Sequence, residues 1–166
     1  MVKFRIRLME EKDFETVRKI REDGILEYYK YLREMRPEAY SIKEVEDDLR
    51  RRKVMDADLL NFYLRTGSSF VAEVEDKIVG FVLSQTIEFM RDSRRMIWVE
   101  HIEVKSEFRR RGIGYSLLSK VIKYAKEHSI SQIESTINPN NEASIRLQQK
   151  LGFSVKDWKV ASFKVA

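Results

Sequence analysis

Apolar and charged residues alternate over residues 3–8, with Phe4, Ile6 and Leu8 set among charged neighbours. That period of two predicts a strand. Over residues 11–21 the spacing changes: Phe14, Val17 and Ile20 share one face of a predicted helix. Gly24 reads as a break, after which helical spacing returns over residues 25–35 and stops at Pro37. Ser41-x-x-Glu44 has the form of a capping box, opening a helix with Val45 and Leu49 that ends in Arg50-Arg51-Arg52-Lys53. Residues 56–64 add a further turn or two. Residues 69–74 and 78–87 are β-rich, and the short link Glu75-Asp76-Lys77 predicts an antiparallel hairpin.

The stretch from Trp98 to Leu118 changes pattern midway. It starts as an alternating strand, predicted over residues 96–104. It ends as a helix whose apolar face holds Ile113, Leu117, Leu118, Val121, Ile122 and Ala125. Between them lies Arg109-Arg110-Arg111-Gly112-Ile113-Gly114. A helix that begins near Gly112 has first-turn N–H groups without helical partners, and its dipole adds positive potential there. Glycines let an anion approach the backbone, and guanidinium forks match phosphate oxygens. A solvated basic loop is the competing reading of the turn alone. Residues 132–137 read as the next strand; the intervening helix makes it parallel to the previous one. Asn138-Pro139-Asn140-Asn141 is a turn whose asparagines can cap a helix running to Leu151, where Gly152 ends it. One or two closing strands are expected over residues 153–165. No linker or repeat interrupts the chain, so a single α/β domain over residues 1–166 is the expectation.

Composition narrows the chemistry. Hydrophobic residues make up 43% and charged residues 36%, which fits a folded globular chain and argues against disorder. No apolar run approaches the ~20 residues of a membrane span, and the start lacks a secretory core. The chain has no cysteine, which removes thiol catalysis, thiolate metal sites and disulfides, and suits the cytoplasm. Only His101 and His128 are available as imidazoles, so no metal site is expected. The net charge of +5 fits a small polyanionic ligand as well as nucleic acid; the basic residues are scattered, which makes nucleic acid the weaker reading.

Two motifs, in this order, resemble those of the GNAT superfamily of N-acetyltransferases. One is Arg109-x-x-Gly112-x-Gly114 after the strand ending Ile102-Glu103-Val104. The other is Asn141-Glu142-Ala143-Ser144-Ile145-Arg146-Leu147 followed by Lys150-Leu151-Gly152-Phe153. The likeness covers essentially the whole chain. It implies a mixed, mostly antiparallel sheet of six to seven strands flanked by helices (an α/β, or α+β, fold) and splayed between the fourth and fifth strands. It implies acetyl-CoA as cosubstrate. The backbone at Ile102, Glu103 and Val104 would pair with the pantetheine arm. The turn through Arg109, Arg110, Arg111, Gly112, Ile113, Gly114 and Tyr115 would hold the pyrophosphate. Asn141, with Gln148 on the same helix, would reach the cofactor's pantetheine or acetyl end. The acceptor is expected to be a small-molecule or peptide amine, in a soluble protein whose closing strands can pair across a homodimer.

Such a transfer requires an amine stripped of its proton. Glu100 is the first candidate base: strict alternation turns it toward the cleft and His101 the other way. Glu103 is the second, and a bulge near the splay would change the face it occupies. Thr136 and Glu134 are candidates for orienting substrate or water. Gln148 stands where many relatives of this kind carry a tyrosine, and an amide is no general acid near neutral pH; no acid is assigned. That substitution motivates an alternative, an acyl-CoA-binding module with little turnover. Tyr28, Tyr29 and Tyr31, with Phe62 and Tyr63, are the candidate walls of the acceptor cleft; the acceptor itself is not legible.

Overall fold

A computed structural model describes residues 2–35, 57–89 and 94–157, with 41, 43, 46 and 47 as isolated positions. The Ser41-x-x-Glu44 capping box and the basic run ending at Lys53 fall largely outside the described residues. The chain divides into two compact units, Met1–Thr136 and Ile137–Ala166.

The first unit is built on a sheet in which sequence neighbours are spatial neighbours. Strands β1 (Arg5–Leu8), β2 (Phe70–Val74), β3 (Lys77–Phe89) and β4 (Arg94–Val104) run antiparallel in turn, and β5 (Gln132–Ser135) joins β4 in parallel. The β2–β3 hairpin closes through Glu75 and Asp76, both at positive φ (47° and 60°), the twist a two-residue turn requires. Among the described residues the sheet has five strands, against the six to seven expected. Residues 153–157 form no strand, because the run after Gly152 makes no ladder pairing in its described part; residues 158–166 lie outside the described residues.

Two layers of helix cover the sheet. Helix α1 (Phe14–Met35) and α2 (Ala57–Arg65) pack one face, where Phe14, Val17, Ile20, Leu60 and Tyr63 meet Val71, Phe81 and Leu83. Full burial of a side chain such as Phe81 or Leu83 is worth about 1.5–3 kcal/mol over leaving it exposed. Helix α3 (Ile113–Glu127) lies on the other face, with Ile113, Leu117, Leu118, Val121 and Ala125 buried and the Tyr124 ring edge-on to Phe70. In the second unit Asn141 caps α4 (Glu142–Lys150), its Oδ1 accepting from the Ser144 amide at 3.1 Å.

Gly24 is not a break. It lies inside the continuous α1, because space rather than flexibility is needed there: a Cβ at this position would stand 1.5 Å from Glu103 Oε1. Glu103 of β4 therefore rests on the helix backbone, 3.4 Å from Arg21 Nη1. Gly24→Ala is expected to destabilise the protein by about 1 kcal/mol, although alanine is the better helix former by about that amount. In a Glu103→Ala background the same change should stabilise by about 1 kcal/mol, since only helix propensity is left. Chemical denaturation of the four variants checks the change of sign.

Candidate active site

The site begins where β4 loses its regularity. Leu83 pairs with His101 and Ser84 with Val99, so Glu100 is an extra residue, a β-bulge. A knot of hydroxyls fixes β3 opposite it. The Ser84 carbonyl accepts from the hydroxyls of Thr66, Ser68 and Ser69, and its amide donates to Ser69 Oγ at 3.1 Å. At the same point β5 leaves the sheet. Its pairing with β4 ends at Val99–Ser135, and from Glu100 to Val104 the strand pairs with β3 alone among the described residues.

The bulge overturns the alternation expected for this strand. Beyond it His101 and Glu103 stand opposite Leu83 and Phe81, on the face covered by α1 and α2, while Ile102 and Val104 turn to the α3 face. Glu100 is on the α1–α2 face as well: Trp98 Nε1 donates to its Oε2 at 2.8 Å, and its charge reaches Tyr63 of α2. His101 thus shares the face of Glu100 instead of opposing it. Burial, and next the charge of Arg21, pull the imidazole down to about 4, so it is neutral at pH 7. Burial pushes the Glu103 carboxyl up, against the opposing pull of Arg21. Of the two candidate bases, Glu100 is exposed, whereas Glu103 is 15% exposed and packed on α1.

The turn after β4 supplies the second half. Arg110 and Gly112 adopt left-handed φ values of 61° and 81°, and α3 starts at Ile113 with no side-chain cap. The space in front of Gly112 is open: a Cβ built there meets nothing within 4 Å. First-turn amides of this kind, with glycine before them, form an anion seat. The three arginines differ. Arg109 is engaged inside the protein: Nη1 and Nη2 grip both oxygens of Glu27 at 2.7 and 2.6 Å, and Nε donates to the Val104 carbonyl at 2.8 Å. Arg111 lies over the Phe108 ring at 5.7 Å. Ile102, Glu103 and Val104 form the strand edge, followed by Arg109 to Tyr115; the structure brings these together in the first unit.

Asn141 and Gln148 belong to the second unit; the Asn141 oxygen serves as helix cap and Gln148 is buried. Tyr28 and Tyr31 are exposed on α1, with Tyr28 edge-on to Tyr29. Phe62 is exposed, Tyr63 buried. Thr136 is exposed, and Glu134 accepts from Gln132 Nε2 at 2.6 Å. Sequence reasoning passed over Trp98, whose signal was its position two residues before Glu100 on the same strand face. It also missed Arg21 and Glu27, whose partners are 82 residues away. Among the described residues no group of three metal-ligating side chains converges, and no helix is long and apolar enough to cross a membrane.

Among the described residues the mixed sheet keeps one bare strand edge, which leads through glycines into a helix without a side-chain cap. The acetyltransferase (GNAT) family model matches residues 25–153, and the chain belongs to that family. It is 35% identical over 89 residues to an uncharacterised N-acetyltransferase of Methanocaldococcus jannaschii, covering 53% of this chain and 39% of the relative. It is 34% identical over 82 residues to an L-2,4-diaminobutyric acid acetyltransferase of Nocardia farcinica, covering 49% and 40%. The match therefore spans less than half the length of these curated relatives. Among solved structures, a transcriptional regulator from Bacillus halodurans C-125 superposes with TM-score 0.71 at 18% identity, covering 98% of this chain and all of that one. An aminoglycoside N-acetyltransferase solved with CoA gives TM-score 0.65 at 20% identity, covering 100% and 97%. At these identities the structural likeness shows the fold.

Proposed function

We propose that the protein is an acetyl-CoA-dependent N-acetyltransferase acting on a primary amine, with Glu100 as the base that receives the amine's proton. The observation that carries this reading is the coincidence at one residue. The bulge that turns Glu100 into the α1–α2 face is also where β5 stops pairing, so a carboxylate and a bare strand edge arise together. Family membership supports the choice of carrier, and the names of the relatives favour turnover over carrier binding alone.

The residues fit the carrier. The amides opening α3, with Gly112 before them, would hold its diphosphate; the edge from Glu100 to Val104 would pair with its amide-bearing arm. Arg109 keeps the Val104 end of that edge fixed through its carbonyl, while its fork ties the loop to Glu27 of α1. Acetyl-CoA supplies an activated acyl group as a thioester. The chain then has to orient the amine, take its proton and exclude water. Glu100 takes the proton directly or through one water. The product is an amide, and no side chain is assigned to protonate the departing thiolate.

The test is release of free CoA thiol, read with a thiol-reactive chromophore. The chain has no cysteine, so the protein adds no background. Release should require both acetyl-CoA and an amine from a panel of spermidine, a lysine peptide, L-2,4-diaminobutyric acid and kanamycin. Tight acetyl-CoA binding without amine-dependent release would overturn the enzyme reading in favour of a carrier-binding module.

A further inference from the structure

Every nitrogen of the Arg109 guanidinium is engaged inside the protein. Nε donates to the Val104 carbonyl at 2.8 Å, and Nη1 and Nη2 hold the two oxygens of Glu27 at 2.7 and 2.6 Å. The carbonyl it holds is a particular one. The Lys105 amide donates to the Val79 carbonyl at 2.9 Å, and Val104 stands opposite Gly80. In an antiparallel ladder that makes Val104 a non-hydrogen-bonded position, with its own N–H and C=O turned away from β3. Ile102, opposite Val82, has the same parity. These two residues therefore present their peptide groups to the side that β5 has left. Arg109 Nε–H stands at the last of those groups, between the edge and the left-handed turn at Arg110 and Gly112. The ion pair itself is half-exposed, 43% for Arg109 and 48% for Glu27, where such pairs add little to stability.

We propose that Arg109, held by Glu27, is a register stop for the carrier's arm: a positioning residue that acts through the Val104 carbonyl and not by gripping phosphate. This rests on the reading of the bare edge as the arm's site. Edge-facing peptide groups recur at every second residue, so an extended arm can slip along the edge in steps of roughly 7 Å. One such step carries the thioester away from Glu100. A guanidinium on the Val104 carbonyl ends the run of free groups there, and the arm must leave the edge at that point for the amides that open α3. Glu27 is what keeps the fork from swinging toward the anion seat. It also ties the stop to α1, which meets the same stretch of β4 through Arg21 and Glu103, 3.4 Å apart. All of these residues lie within the first unit.

Two variants, Arg109→Lys and Glu27→Gln, test the stop by calorimetric titration with acetyl-CoA and with ADP, which has a diphosphate but no arm. Lysine keeps the charge of the turn and loses both the Nε donor and the fork. Arg109→Lys should raise the acetyl-CoA Kd about 10-fold, lower kcat by a similar factor with the fastest amine of the panel above, and leave the ADP Kd unchanged. Glu27→Gln removes a negative charge beside an anion site, so charge alone would tighten acetyl-CoA. Loss of the stop should instead weaken it, by about 3-fold, with ADP affinity unchanged or tighter. The melting temperature should stay within about 2 °C in both variants, since a half-exposed pair is removed. An ADP affinity that falls together with that for acetyl-CoA in Arg109→Lys, or an acetyl-CoA affinity that rises in Glu27→Gln, makes Arg109 a phosphate ligand and overturns the stop. Unchanged acetyl-CoA affinity and kcat in both variants leaves only a surface ion pair and overturns it as well. Where ADP binds too weakly to titrate, the sign of the Glu27→Gln effect on acetyl-CoA decides alone. A wild-type protein without affinity for acetyl-CoA overturns the carrier reading itself.

Discussion

Arg7→Met is expected to destabilise the protein by about 3–5 kcal/mol, the cost of removing one partner from a buried charge group. Arg7 is the hub of a network pinning β1 to the start of α1. Its Nη1 and Nη2 bind the two oxygens of Asp13 at 2.7 and 2.8 Å, and Nε donates to Glu73 Oε1 at 2.8 Å. Asp13 is 2% exposed and Glu73 6%, so the variant strands two carboxylates away from water. Arg5 still reaches Glu73, but nothing else of opposite charge bonds Asp13 among the described residues. For a chain of this size the loss lowers Tm by on the order of 10 °C.

Acid should narrow the gap between wild type and variant. Burial raises both carboxyls, but the hydrogen bonds from Arg7, joined by Arg5 at Glu73, outweigh it and hold them below their ordinary values of 3.8 and 4.5. A group held low in the folded state stabilises above its ordinary value, and that contribution is lost as pH falls through the folded one. The Arg7 contribution is thus complete at pH 7 and fades below about pH 4. His101, held at about 4 against 6.5, makes both proteins lose stability between those values, and Glu103, held high, opposes it equally in both. Urea midpoints from pH 7 to 3 measure the difference. A gap that stays constant to pH 3 would show that Arg7 acts through packing and not through its carboxylates.

Glu100→Gln is expected to reduce kcat by about 10²- to 10³-fold while leaving acetyl-CoA affinity intact. An amine of pKa about 10.4 is neutral in roughly one copy in 10³ at pH 7, a deficit of about 4–5 kcal/mol that a positioned base offsets. Glutamine keeps the size of the side chain and can still accept from Trp98, so the strand should keep its bulge. The loss should shrink as pH approaches the acceptor's own pKa, where neutral amine is abundant without help. A kcat loss independent of pH would instead point to misplacement of the acyl carrier or of the amine.

Local chemistry made much of this fold legible. The apolar stripe of α3, an asparagine cap for the last helix and a short antiparallel hairpin all depend on residues close in sequence, where periodicity and turn preferences act. The features that escaped are made by distant pairs. Gly24 looks like a helix breaker until Glu103 is laid against it. Arg7 and Glu73 look like solvated strand charges, and become a buried network only when β1 meets β2. The pairing of Arg109 with Glu27 of α1, 82 residues away, is likewise invisible until the fold brings them together. The Glu100 bulge is a mismatch between two strands, so neither strand alone contains it; it is also why the side chains after Val99 fall on the faces they do.

The half-bare β4 has a further effect on how this protein behaves in concentrated solution. Unpaired peptide groups invite another chain to stack alongside, which is how edge-to-edge aggregation starts. Here the exposed portion is only five residues long, is bent by an inserted residue and carries a carboxylate at its first position. Those are the devices that keep open sheet margins from sticking to one another. The kink at Glu100 therefore helps keep neighbouring copies from extending one another's sheets.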